Sequence, residues 1–445
     1  MHRRHFLASL GAAAAVPSGL LGADFTLRIA PANIEIAPRK VIRTLAYNGS
    51  VPGPLLRMKE GQPVTIEVFN DTGDAEIVHW HGLQIPTAVD GSMEEGTPMI
   101  PARSSARYTF TPAPSGTRWY HTHVSAGRNL KRGTYTGQFG FIYIEPRSEP
   151  GNYDQEIFLA LKEWDPYLSS GGVDEDSLEV AYDSFSVNGR ALGHGEPIRV
   201  KEGQRVLLRI LNASATVTRR VAAAGHQFHV VAMDGNPVAV PKEVRALELG
   251  PAERIDAIVE MNSPGVWILG ATDDHDREHG LGTVIEYAGQ SGQPRWLAPE
   301  GAERWDYTVF GKSEPNAAAS QGPSERIPLV FEKKFAGHHW VDKWTINGKS
   351  FPKTDPIRVK ANGRYRLVFD NRSDEAHPVH LHRHTFELAK IAGVPTSGVY
   401  KDVVVVGAKS QTEVDLLANN PGLTLFHCHQ QMHMDYGFMA LMEYF

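Results

Sequence analysis

Apolar and polar positions alternate in three stretches of the chain, always in the same phase. Val64, Ile66 and Val68 alternate with Thr65 and Glu67, and Val206, Leu208, Ile210 and then Tyr365, Leu367, Phe369 repeat the arrangement. A period of two gives one buried and one wet face, which predicts strands. Each stretch ends a longer repeat. Asn48-Gly49, Asn188-Gly189 and Asn347-Gly348 come first, then Lys59, Lys201 and Lys360, and Asn70, Asn212 and Asn371 follow those lysines by 11 residues each time. The copies lie 142 (70 to 212) and 159 (212 to 371) residues apart, so they are domains and not solenoid repeats. Strands punctuated by turn signals predict an all-β chain of three consecutive sandwich domains. The turn-rich stretches 146–152 and 289–301 set the expected borders at residues 24–147, 148–297 and 298–445.

The repeat also serves as a ruler. Nine residues after the closing asparagine stand His79-Trp80-His81 in the first domain and His380-Leu381-His382 in the third, but Val221-Ala222-Ala223 in the second. Five residues after Gly116 and Gly422 stand His121-Thr122-His123 and His427-Cys428-His429, whereas Gly270-Ala271-Thr272 follows Gly265. On a strand both rings of a His-x-His pair share one face, and Cys428 points to the other. The four pairs supply eight imidazoles converging between the outer domains, enough for three copper ions: three on each of two ions and two on the last. His377 and His433 remain, and with Cys428 they form the His₂Cys set of a blue-copper site. One short strand then serves two sites. A thiolate copper that accepts single electrons, wired to a three-copper cluster, holds the four electrons that turn dioxygen into two waters. A storage site would need no such connection.

Charge and the first residues narrow the class. A net charge of −6 gives no sign of nucleic-acid binding, and the single cysteine excludes an intrachain disulfide. Arg3-Arg4-His5-Phe6-Leu7, an alanine-rich run and Leu21-Gly22-Ala23 read as a signal peptide over residues 1–23, of the type passed to the twin-arginine export machinery. No later apolar run is long enough to span a membrane. The expectation is a periplasmic or secreted monomer without membrane insertion.

His79-Trp-His-Gly82, Trp119-Tyr-His121-Thr-His123, His377-Pro-Val-His380-Leu-His382 and His427-Cys-His-x3-His433 together resemble the four copper motifs of three-domain multicopper oxidases of the laccase-like, bacterial kind. The resemblance spans essentially the whole mature chain. It implies that each domain is a cupredoxin-like Greek-key sandwich and that the chain holds four copper ions, one type 1, one type 2 and two type 3. By the same resemblance His79 and His380 are the type 2 pair. His81, His121 and His429 serve one type 3 copper, and His123, His382 and His427 the other. His377, Cys428 and His433 hold type 1. The implied activity is one-electron oxidation of phenols or aromatic amines, with dioxygen and a small-molecule electron donor as partners. The alternative keeps the chemistry with a cuprous or other metal ion as donor, for copper tolerance; the absence of a methionine-rich run weighs against it. A relative that has lost its copper and a two-domain nitrite reductase fit the motif set less well.

The chain departs from the pattern in places. Arg383 stands where the family often has glycine, and His384 after it reads as a non-ligand. The axial position, ten after Cys428, is Phe438, a non-ligand that should raise the copper potential, with Met439 next to it. Met434 replaces the acid often found after the last histidine, and Asp435 is a possible substitute. Asp90, in Asp90-Gly91, reads either as a turn residue or as a proton donor to the cluster, and the family spacing favours the donor. Residues 273–279, Asp-Asp-His-Asp-Arg-Glu-His, read as a solvated loop, with an outer metal or substrate site as the other reading.

Overall fold

Three pairs of packed β-sheets follow one another along the chain. The computed structural model describes residues 22–146, 151–170, 178–302, 304–313, 323, 325–336 and 340–445. The expected leader lies outside them up to residue 21. In the first domain Lys40–Tyr47, Phe25–Ala37, Val64–Asn70 and Ser104–Phe110 form one sheet; Gly53–Lys59, Phe139–Glu145, Gly116–Thr122 and Val78–His81 form the other. The middle domain pairs a six-stranded with a five-stranded sheet, and the third a seven-stranded with a five-stranded one. Each predicted alternating stretch is a central strand lying parallel to the first strand of its domain: Val64–Asn70 on Phe25–Ala37, Arg205–Asn212 on Gln155–Ser169 and Arg364–Asn371 on Glu325–Lys334. In each case other strands intervene in sequence between the two parallel partners, so the chain crosses over before it returns to the sheet. Among the described residues no helix is long and apolar enough to cross a membrane.

The repeated asparagines are explained by what they bond. Asn48, Asn188 and Asn347 have φ of 52°, 51° and 51°, each followed by a glycine also at positive φ, the tight turn that Asn-Gly favours. Their Oδ1 atoms accept from Arg28, Ala160 and Val330 N–H at 2.7, 2.8 and 2.8 Å. The closing Asn70, Asn212 and Asn371 are buried, and each amide donates to backbone carbonyls of two loops. One bracket is thus built three times.

The domains meet closely. At Gly116 a Cβ would stand 1.9 Å from Gly235 O, so the first and middle domains touch backbone to backbone. A buried ionic cage fills the junction. Arg254 of the middle domain grips both oxygens of Asp402 of the third at 2.7 and 2.6 Å, and Arg118 of the first reaches the same carboxylate at 3.4 Å. Lys401 lies 3.0 Å from both Asp234 and Glu253.

Candidate metal centre

Strand register brings the histidines together. His79 lies opposite His121 where Val78–His81 pairs with Gly116–Thr122, and His380 lies opposite His427 where His377–Leu381 pairs with Thr424–Cys428. The middle domain runs one residue out of that register, with Val221 opposite Ala271. Rings of the first and third domains then stack face to face, His79 on His382 and His81 on His380, both at 3.8 Å. Four buried sets have their donor atoms within 4.8 Å of one another: His79, His81 and His380; His81, His121 and His429; His123, His382 and His427; and His377, Cys428 and His433.

The hydrogen bonds fix which nitrogen faces inward. Nδ1 of His79, His380, His121 and His427 donates to the carbonyls of Asp90, Asp402, Thr122 and Cys428 at 2.7–2.9 Å. The Nε2 lone pairs of these rings therefore point into the cluster. His81 is reversed, because its Nε2 donates to Asp402 Oδ1 at 3.1 Å and its Nδ1 faces His121. His382 Nδ1 donates to Asp90 Oδ2 at 2.8 Å, which leaves His382 Nε2 and His427 Nε2 facing lone pair to lone pair at 3.1 Å. Nε2 of His79 and His380 and both ring nitrogens of His123 and His429 are buried without a hydrogen-bond partner. Protonation does not relieve this crowding. Burial, reinforced by neighbouring histidines, pushes His121, His382, His427 and His429 well below the usual imidazole range, and His123 to about 4. Neutral rings with converging, orphaned lone pairs are what metal cations would satisfy.

The cysteine site has the same logic. His377 Nε2 donates to Ser373 Oγ at 2.8 Å, and His433 Nε2 lies 3.2 Å from Glu375 Oε2. Both Nδ1 atoms therefore face each other, at 3.2 Å, with Cys428 Sγ at 3.8 and 3.6 Å from them. Burial pushes the Cys428 thiol up, so the thiolate needs a cation beside it. Phe438 is fully buried and lies edge-on to His377 at 4.9 Å; its carbonyl accepts from Cys428 N–H at 3.1 Å. Met439 packs away from this site, with Leu425 and Met434. Its strand position is opposite His427, so it shares that residue's face and not that of Cys428.

Asp90 is both a turn residue and a cluster residue. It ends the turn Thr87–Asp90, and at Gly91 (φ 98°) a Cβ would stand 1.8 Å from Val78 O. Its carboxylate is fully buried, 2.8 Å from His382 Nδ1 and 3.2 Å from His79 Nδ1. Two acids beside the site escaped the sequence reading. Glu95 accepts from Leu425 N–H at 2.5 Å and stands 3.4 Å from His382 Nδ1; burial and the adjacent Asp90 hold it well above the usual carboxyl range. Asp402 orients His81 through its side chain and His380 through its carbonyl. The only sequence sign of Glu95 is its place five residues after Asp90, and Asp402 carries none.

The departures also have places. Asp435 sits away from the histidines, accepting from Ala126 and Gly127 N–H at 2.9 and 2.7 Å, which ties down the loop after His123. Arg383 is buried at φ 58° and donates to Ile85 O at 2.8 Å and Thr424 Oγ1 at 2.8 Å, fastening the third domain to the first. His384 uses both nitrogens elsewhere, on His382 O at 3.0 Å and the Tyr444 hydroxyl at 2.6 Å.

Family models described as multicopper oxidase match residues 29–149, 159–289 and 327–444. Multicopper oxidase MmcO of Mycobacterium tuberculosis is 31% identical, over 94% of this chain and 86% of that one. Multicopper oxidase mco of Staphylococcus aureus is 25% identical over 94% and 87%. Among solved structures, a multicopper oxidase from Pseudomonas thermotolerans is similar at a TM-score of 0.73 and 26% identity, covering 95% of this chain and all (100%) of that one.

Proposed function

The chain belongs to the multicopper oxidase family, oxidoreductases built of three cupredoxin-like Greek-key domains that use dioxygen as acceptor, and from that premise we propose that it is a laccase-like enzyme oxidising phenols or aromatic amines one electron at a time. In this reading His377, Cys428 and His433 hold a type 1 copper; His79 and His380 a type 2 copper; His81, His121 and His429 one type 3 copper; and His123, His382 and His427 the other. Copper so held would take single electrons from the donor and supply four of them to dioxygen, giving two waters. The observation that carries the reading is the placement of Cys428: its sulfur belongs to one donor set while its chain neighbours His427 and His429 belong to two others. No more than the Cys428 backbone separates the sites. Asp90 and Glu95 form a buried carboxyl pair at His382 and His79, placed to hold and pass the protons that reducing dioxygen consumes. Domain borders at residues 147 and 297, a twin-arginine leader, export to the periplasm or beyond and a monomeric state belong to the same reading.

The donor site is a cavity of about 440 Å³ beside His433. Trp344 lies 4.2 Å from the His433 ring and gives a flat aromatic wall, while Glu179, Asp342, Asp374 and Glu375 outnumber Lys333 among its charges. An aromatic wall with an acidic rim suits an aromatic amine. The acids also support the second reading, a metal-ion oxidase, and one relative at 24% identity is a copper resistance protein A homolog of Pseudomonas syringae. Against cuprous ion, Met432 is the one thioether lining the cavity among the described residues. Purified, copper-loaded protein should oxidise a phenol and an aromatic diamine faster than cuprous ion, and Glu375→Gln should slow the diamine more than the phenol. Turnover confined to cuprous or ferrous ion would overturn the laccase-like assignment in favour of the second reading.

A further inference from the structure

Residues 273–279 are largely solvent-exposed as expected, but they are not a loop. Asp274–Glu278 forms one helical turn after the strand Val266–Ala271, in the domain that carries none of the clustered histidines. The turn is clamped on its inner side. Asp273 accepts from Asp276 N–H at 3.0 Å, and Asp276 pairs with Arg219. Arg277 pairs with Asp274, donates to Ala271 O at 3.0 Å and stacks on Trp296 at 4.1 Å. The outer side carries His275 and His279, four apart and hence on one face. Both are exposed, the His275 side chain to 62%, and their rings stack at 4.1 Å and 27°.

The orientation of the rings points to a ligand. His279 Nδ1 donates to His275 O at 2.8 Å, and His275 Nδ1 lies 3.6 Å from Asp276 Oδ1. His279 Nδ1 is therefore tied to a protein carbonyl, whereas His275 Nδ1 only lies near a carboxylate, beyond hydrogen-bond distance. At His279 this is the arrangement that orients a metal-binding imidazole and raises its basicity. It leaves the His279 Nε2 lone pair free, with the exposed His275 ring stacked beside it. Phe185 lies edge-on to the His275 ring at 6.1 Å and limits its swing. Two imidazoles at this spacing on a helical turn form a known chelating pair for transition metals.

We propose that His275 and His279 bind one further divalent transition-metal ion through their Nε2 atoms, Cu(II) in preference to Zn(II), at a surface site of the middle domain separate from the buried clusters. The preference follows from the stability order of divalent ions on nitrogen ligands. With two protein ligands and water in the other positions, the ion exchanges freely, and a mild chelator removes it.

The test uses the full copper-loaded protein, treated with a chelating resin and then equilibrated with Cu(II) in a non-coordinating buffer. The protein should gain one copper per chain and a nitrogen-coordinated Cu(II) electron paramagnetic resonance signal. His275→Gln/His279→Gln, which changes exposed side chains and should unfold at the same temperature, should gain neither. The readout is the difference between protein and variant, so the number of ions in the buried clusters does not enter. No gain by the starting protein, or an equal gain by the double variant, overturns the proposal.

Discussion

In the proposed reading, Phe438 and Asp90 are single side chains that tune a site whose ligands are provided elsewhere. Phe438 lies against His377 and offers no donor atom, while the thioether of Met439 is packed with Leu425 and Met434. A copper at Cys428 would then lack an axial donor in its oxidised state, which raises its potential. Phe438→Met should lower the type 1 potential in a redox titration, with activity on difficult phenols falling before activity on easy ones; an unchanged or higher potential would remove Phe438 from the axial position. At Asp90 the amide of Asp90→Asn preserves the turn before Gly91 but cannot release a proton. Reoxidation of the reduced variant by dioxygen should slow by about 10²–10⁴-fold, with electron entry from the donor far less affected. Reoxidation at the original rate in stopped flow would leave Asp90 a turn residue only.

Strands and turns were the most legible part of the sequence, because each follows from local chemistry. Alternation marked Val64–Asn70, Arg205–Asn212 and Arg364–Asn371. Asn-Gly marked the tight turns, and His-x-His showed which strand faces converge. The bracket role of Asn70, Asn212 and Asn371 was visible only as a recurrence, since its partners lie in loops with no common signature. Asp402 was not legible at all and Glu95 only by its closeness to Asp90: they reach His81 and Leu425 across 321 and 330 residues of chain. The helical turn at residues 274–278 was missed although its Asp273 cap and Asp274–Arg277 pair are local, because the contacts that hold it to the domain, Asp276 with Arg219 and Arg277 with Trp296, are tertiary. The bracket can be tested where no histidine cluster complicates the result. Asn212→Ala leaves the carbonyls of Val217 and Leu249 and the N–H of Ser214 without their partner. Unfolding by denaturant should show a loss of about 2–4 kcal/mol with copper content unchanged. A loss within about 0.5 kcal/mol would mean that the bracket contributes little.

Across the whole molecule, the middle domain supplies charge where the outer two supply histidines. Arg254 compensates Asp402, which orients His81 and His380 at the join of the other domains, and Asp234 accepts from the N–H of Val403 beside it. The histidines also set an acid limit. His81, His121, His377, His380, His382, His427 and His429 are held well below their usual range, chiefly by burial. In metal-free protein the unfolded chain binds more protons than the folded one once pH drops below the ordinary imidazole value of about 6.5. Each such histidine then contributes up to about 1.4 kcal/mol of lost stability per pH unit. The melting temperature of metal-free protein should therefore be flat above about pH 7 and fall steeply below about pH 6; a flat acid limb would mean the rings are not buried neutral. Copper should suppress the fall by occupying the same lone pairs. The most direct measurement is the copper content of protein loaded under anaerobic conditions, taken with its visible absorption and that of Cys428→Ser. After a chelating resin has removed exchangeable ions, four coppers per chain are expected, with an intense blue band that the serine variant loses while retaining its fold. One copper or none, or a blue band that survives the loss of Cys428, would contradict the assignment of the clusters.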